Sequence, residues 1–203
     1  MKKLVREITA YRYGELEEYA REKARENYLA EEHLPEFFSD DLTAELQEQY
    51  GLNHLKTYYS LSYCQGDGLC LYGRINHSEL FGNGKFKKVA FEGIHYRQIQ
   101  SVYDVLQGID FEHCNRYFNA KTVCIDSHFY DDATDRQVEI IERIAANVQS
   151  WYFSFCREWE KRGYDYFYKI SDEEMREICE INDYFFAKGG QSINMDEYSE
   201  SAV

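Results

Sequence analysis

Along the chain, Val138, Ile141, Ala145, Val148, Tyr152, Phe155 and Trp159 recur at alternating steps of three and four residues. That rhythm keeps one apolar stripe on one side of a helix for more than five turns. Thr134 is placed to cap its start with Gln137 three residues on, and Gly163 to stop it in the left-handed conformation, so a helix is predicted over about 134–162. The same rhythm would suit a coiled-coil homodimer. Ile140, Ile144, Trp151 and Phe153 widen the stripe beyond a narrow seam, which favours packing on a sheet.

The remaining periodic segments are shorter. Leu16, Tyr19, Ala20, Ala24 and Tyr28 predict a helix from Gly14 to about Leu34, where Pro35 ends it or opens the next. Ser39-Asp40-Asp41-Leu42 opens a second helix that Gly51 closes after Tyr50. Alternation then shifts towards period two. Lys56 to Cys64 and Leu69 to Ile75, rich in aromatic and hydroxyl residues, flank Gln65-Gly66-Asp67-Gly68 and read as a hairpin. Asn83-Gly84 marks a turn, and Ile94 to Leu106 presents Ile99, Val102, Tyr103 and Leu106 on one helical face. Two further strands are expected near 111–118 and 121–129. A last helix starts at Ser171 with Glu174 completing a second capping box; Met175, Ile178, Ile181 and Phe185 line its apolar side, and Gly189-Gly190 ends it.

The elements add up to an α+β fold: an antiparallel sheet of about four strands packed on the long helix, with helices at both ends. A single domain over 1–190 is expected, followed by a flexible acidic tail over 191–203.

Composition narrows the functional classes. The chain has 203 residues, 44% hydrophobic and 17% aromatic, with one Pro and 12 Gly, enough to bury a core. The formal net charge of −14 argues against direct nucleic-acid binding, which needs a basic face, and against docking on an anionic membrane. Charge is uneven: net −6 over 1–50, +3 over 51–100, −5 over 101–150 and −6 over 151–203. No apolar run nears the roughly 18 residues that span a bilayer. The charged start lacks the apolar core of a signal peptide, which sets the cytosol as the expected compartment.

Candidate chemistry is sparse. The six cysteines form no CxxC and no paired Cys/His spacing, so reduced, mostly buried thiols are expected and no metal or cofactor. His113-Cys114 and Cys124-x-Asp126-x-His128 fall on neighbouring strands, where His113 can meet Cys124 or Asp126 as a catalytic or metal cluster. The loop Gln65, Gly66, Asp67, Gly68 is the binding-loop candidate, since glycines let backbone N–H groups converge on an anion. It lacks the Lys-Ser/Thr of a phosphate loop, and a hairpin turn that needs positive φ is the favoured reading of it. Acidic residues at helix starts offset the helix dipole and need no catalytic role. They also supply what a protein needs to occupy a basic groove built for nucleic acid. By charge density the partner-binding candidates are Glu17, Glu18, Glu22, Asp40, Asp41, Asp172, Glu173 and Glu177, with no catalytic residue.

Three segments together carry a resemblance. Glu17-Glu18-Tyr19-Ala20-Arg21-Glu22-Lys23-Ala24-Arg25-Glu26-Asn27-Tyr28, the hairpin Ser62 to Gly73, and Ser171-Asp172-Glu173-Glu174 through Ile181 to Phe186 resemble, in order and spacing, a group of small phage and prophage proteins. That group has a Ser-Gln-Gly-Asp-Gly-Ala hairpin, from which this chain departs with Cys64 and Leu69. Its members are often described as antitoxins of toxin–antitoxin systems. The resemblance implies a mobile-element protein acting in a bacterial host. Two non-enzymatic functions fit: an anti-CRISPR inhibitor that binds a CRISPR–Cas effector through acidic faces in competition with nucleic acid, or an antitoxin that binds a cognate toxin. A third, an enzyme or ligand-binding module, would work through Gln65–Gly68 and the His113/Cys124/Asp126 cluster.

Overall fold

A computed structural model describes residues 8–30, 34–82, 84–114 and 116–195. The expected Asn83-Gly84 turn therefore lies partly, and residues 196–203 of the expected tail wholly, outside the described residues. The described chain divides into two compact units: Pro35–Tyr164 forms one, and the residues before and after it form the other.

Within Pro35–Tyr164, helix α2 (Leu34–Ala44) runs into a π-helical turn over Glu45–Tyr50. Gly51, at φ 74°, takes the left-handed cap read from the sequence, its N–H donating back to the Gln47 carbonyl. Strands β1 (Leu55–Ser60), β2 (Gly68–Asn76), β3 (Leu106–His113) and β4 (Val123–Phe129) form one antiparallel sheet in the order β1-β2-β3-β4. The register pairs Tyr59 with Leu69, Ile75 with Ile109 and Phe111 with Ile125. Three short helices connect β2 to β3: α3 (His77–Leu80), α4 (Lys85–Ala90) and α5 (Tyr96–Val102). Of these only α5 carries a period visible in the sequence, and it is shorter than the 94–106 expected, because β3 takes residues from Leu106 onward.

Helix α6 (Asp135–Tyr168) packs against this sheet. Half of the expected capping box is made at its start: Thr134 N–H donates to the Gln137 side-chain carbonyl at 2.9 Å, but Thr134 Oγ1 also donates to it, at 2.8 Å, where the box has it accept. Ile141, Ile144, Val148, Tyr152 and Cys156 are at most 1% exposed. Tyr152 meets Phe111 of β3 at a centroid distance of 5.3 Å, Trp151 meets Tyr50 and Phe86 at 5.3 and 4.9 Å, and Trp159 meets Phe38 of α2 at 5.4 Å. Such edge-on and tilted pairs add roughly 0.5–1.5 kcal/mol each beyond area burial.

The expected stop at Gly163 is a misreading. The helix continues to Tyr168, and Gly163 is buried in its interior. A Cβ there would lie 2.3 Å from Leu61 Cδ1 and 2.9 Å from Phe38 Cζ. Glycine is needed for close approach, not for a turn.

In the other unit a 3-10 turn (Tyr13–Glu15) leads into α1 (Glu18–Leu29), shorter at both ends than expected. Helix α7 (Asp172–Ile181) is opened by the predicted capping box: Glu174 N–H donates to Ser171 Oγ at 3.1 Å, and Ser171 N–H to the Glu174 carboxylate at 2.9 Å. It stops well before Gly189, because Asn182 donates its side-chain amide to the Ile178 carbonyl and Asp183 turns the chain at φ 56°. Phe185–Phe186 (β5) then pairs antiparallel with Ser192–Ile193 (β6), where a flexible tail is expected, and Tyr11 bridges Phe186. The small core holds Tyr13, Leu16, Ala20, Ala24, Met175, Cys179 and Phe186. No helix among the described residues is long and apolar enough to cross a membrane.

Candidate functional site

Of the eight carboxylates singled out by charge density, Asp172 stands apart. At the first turn of α7 it accepts from Tyr13 Oη at 2.9 Å, from Arg25 at 2.7 Å, and from Arg21 and Arg176 at 3.2 Å each. Arg25 also donates to Tyr13 Oη at 3.0 Å. Burial opposes its ionisation, yet the Tyr13 hydroxyl and three guanidinium groups outweigh that and hold its carboxyl below the ordinary aspartate value. Burial and the Asp172 contact push the Tyr13 hydroxyl up. Asp172 is thus spent inside the fold, fastening α7 to α1.

The other candidates face solvent. Glu17 at the N-cap of α1, Glu18 and Glu22 on α1, Glu173 and Glu177 on α7, and Asp40 and Asp41 on α2 are all exposed, and none forms an ion pair among the described residues. On α7, Glu173, Glu177 and Glu180 are spaced four and three residues apart and so share one helical side. Next to them a cleft of about 410 Å³ is lined by Arg12, Tyr13, Arg176, Cys179, Glu180 and Asp183. Both its guanidinium groups are already engaged: Arg12 pairs with Asp183 and lies 4.0 Å over the Phe185 ring, and Arg176 pairs with Asp172.

The Gln65–Gly68 loop is a turn closed on itself. Asp67 accepts from Ser60 Oγ at 2.7 Å, from Ser62 N–H at 2.6 Å and from Cys64 N–H at 2.7 Å. The Cys64 amide, the Ser60 hydroxyl and the Ser62 amide hold its carboxyl below the usual range. The Asp67 N–H itself donates to the Cys64 carbonyl. Gly66, at φ 93°, lies under the Tyr117 ring, which a Cβ would meet at 2.3 Å. The donors of Ser60, Ser62 and Cys64 thus converge on the Asp67 carboxylate, which acts as the clasp of the turn.

The His113/Cys124/Asp126 cluster does not assemble. His113 Nε2 lies 2.7 Å from the Tyr117 carbonyl, with its ring stacked on Phe118 at 5.3 Å. Asp126 sits opposite Asp110, whose carboxylate is engaged by His128 at 2.7 Å and Arg74 at 3.6 Å. Cys124 meets a different neighbour, the Cys114 thiol, at 2.8 Å. Among the described residues no group of three or more His, Cys, Asp and Glu side chains could hold a metal ion.

All six cysteines are free, but only Cys70, Cys156 and Cys179 are buried, where mostly buried thiols are expected. Burial pushes the Cys70 and Cys179 thiols up to about 11 and Cys156 up to about 12, so these three stay protonated and inert at neutral pH. Sequence reading also passes over Glu79. Although only 8% exposed, it accepts from Asn53 N–H at 2.6 Å and Asn76 N–H at 2.9 Å, and contacts His54 Nδ1 at 2.9 Å. The available signal is Asn76-x-x-Glu79, a capping box on a helix too short to show a period.

No protein-family model, no curated protein and no solved structure matches the chain.

Proposed function

We propose that this protein is a non-enzymatic inhibitor that occupies a basic nucleic-acid-binding groove of a partner protein through exposed carboxylates on α1 and α7. The observation behind this reading is the division of labour among the acids. Asp172 is neutralised internally and fixes the two helices, while Glu17, Glu18, Glu22, Glu173 and Glu177 stand exposed with no ion pair among the described residues. Carboxylates displayed on fixed helices meet a basic groove with the sign of charge it is built for, and little side-chain pairing has to be broken first. The resemblance to phage and prophage proteins puts a CRISPR–Cas effector of the bacterial host first as partner, with action inside that cell. A cognate toxin is the alternative.

The test is capture of partners by tagged protein from a CRISPR-bearing bacterial lysate at about 0.1 M and about 1 M salt, where the screening length falls from about 10 to about 3 Å. The expected result is an effector nuclease retained at low salt and released at high salt, and not retained by a variant with all five glutamates changed to Gln. Retention that is indifferent to salt and to the five substitutions overturns the acidic-face mechanism. Capture of a small toxin instead replaces the inhibitor reading with the antitoxin one.

A further inference from the structure

The β3–β4 ladder continues one residue beyond β3, with Cys114 N–H donating to the Thr122 carbonyl at 2.9 Å. Cys124 sits opposite Glu112 in the same ladder. Cys114 and Cys124 are therefore diagonal neighbours on one side of the strand pair, and their sulfurs approach to 2.8 Å. A disulfide bond is about 2.05 Å long, so closing it requires the sulfurs to move by less than about 1 Å. Both side chains are exposed, unlike Cys70, Cys156 and Cys179. Cys64 is exposed as well, but the one hydrogen-bond partner of its sulfur among the described residues is the Ser62 carbonyl, at 3.6 Å.

We propose that Cys114 and Cys124 are a redox modification site, forming a reversible intramolecular disulfide by exchange with a low-molecular-weight disulfide. One thiolate, Cys114, attacks a sulfur of the reagent. The reagent's S–S bond breaks, one small thiolate leaves, and Cys114 carries the mixed disulfide. Cys124 then gives up its proton and attacks the Cys114 sulfur, and the second small thiolate departs. The net change is one protein dithiol oxidised to a disulfide and one small disulfide reduced to two thiols. The order follows from the surroundings: the Cys114 thiol, together with the charges of Asp126 and Glu112, holds the Cys124 proton more tightly than usual, which makes Cys124 the slower first attacker. In a reducing compartment such a pair stays open until the disulfide load rises. Once formed, the bond ties the end of β3 to β4 and closes the loop bearing Tyr117, which covers the Gly66 turn.

The experiment treats the folded full-length chain with glutathione disulfide, quenches in acid, alkylates the remaining thiols after unfolding, and maps tryptic peptides by mass. Trypsin cuts after Arg116 and Lys121, between the two cysteines, so only a bond between them keeps the two peptides joined. The expected result is joined peptides lacking two hydrogens and carrying no glutathione, with glutathione retained on Cys64, and with full reversal by dithiothreitol. In Cys124→Ser, the mixed disulfide on Cys114 should rise about ten-fold over the wild type, since nothing resolves it. Recovery of Cys114 and Cys124 as separate peptides, alkylated or each glutathionylated, while Cys64 in the same sample has reacted, overturns the proposal. So does a bond from either of them to Cys64. The wild-type map decides the matter even if the serine variant folds poorly.

Discussion

A single methyl group separates Gly163 from alanine, and the interior of this protein has no room for it. An alanine there gains helix propensity of about 1 kcal/mol, but its Cβ would press on Leu61 and Phe38, both buried. Overpacking of this kind costs about 1–3 kcal/mol. Gly163→Ala is therefore expected to lower the urea midpoint of unfolding rather than raise it, and a higher midpoint would show that Leu61 and Phe38 yield freely. Asp172 makes a second residue-scale prediction. Its carboxyl titrates lower in the folded chain than its ordinary value near 3.8, so its contribution to stability is fully present above about pH 4 and fades as pH falls through the folded value. Asp172→Asn removes the charge that Arg21, Arg25 and Arg176 share. Thermal melts should show the variant less stable at pH 7 and losing less than the wild type on further acidification. Neither residue's role could be read from neighbouring sequence. A glycine after a periodic run has the same appearance whether it ends a helix or admits a ring, and an acid at a helix start gives no sign of guanidinium groups brought in from over a hundred residues away.

Among the elements, α6 was the most legible, because seven apolar positions and a Thr134/Gln137 cap agree over five turns and its packing on the sheet rewards the same face. The β1–β2 hairpin was legible for a related reason: period-two runs around Gly-Asp-Gly leave few other conformations. What could not be read there was the chemistry of the turn, since the same residues suit an anion nest and a self-closed loop. Three donors converging on Asp67 decide for the loop. Asp67→Ala is expected to destabilise the protein by about 1 kcal/mol, a typical net hydrogen-bond contribution, since the Ser62 and Cys64 amides it releases are exposed to water, whereas Asp67→Asn, which can keep part of the set, should cost less. Equal losses in the two variants, measured by denaturant titration, would point away from the clasp. The helices α3 and α4 and the ribbon β5–β6 escaped notice because four- to six-residue helices and two-residue strands are too short to establish a period.

For the molecule as a whole, a net charge of −14 means that like charges oppose the compact state. Raising NaCl from about 0.01 to about 0.15 M shortens the screening length from about 30 to about 8 Å, and the melting temperature at pH 7 should rise with it. A fall would mean that ion pairs such as those of Asp172 outweigh the repulsion. At this scale the sequence was legible in class, an α+β chain with a four-strand sheet, but the expectation of a single domain over 1–190 carries no sign of two units, because α6 runs on through Gly163 and past the boundary after Tyr164. The smaller unit draws its core from both ends of the chain, and the bond between Tyr13 and Asp172 spans 159 positions. On a ribosome adding about 5–20 residues per second, α1 therefore emerges about 8–30 s before the residues that cover it. Throughout that interval Tyr13, Leu16, Ala20 and Ala24 are an apolar face without its α7 cover, open to chaperones and proteases, and this unit is complete only once α7 has been made.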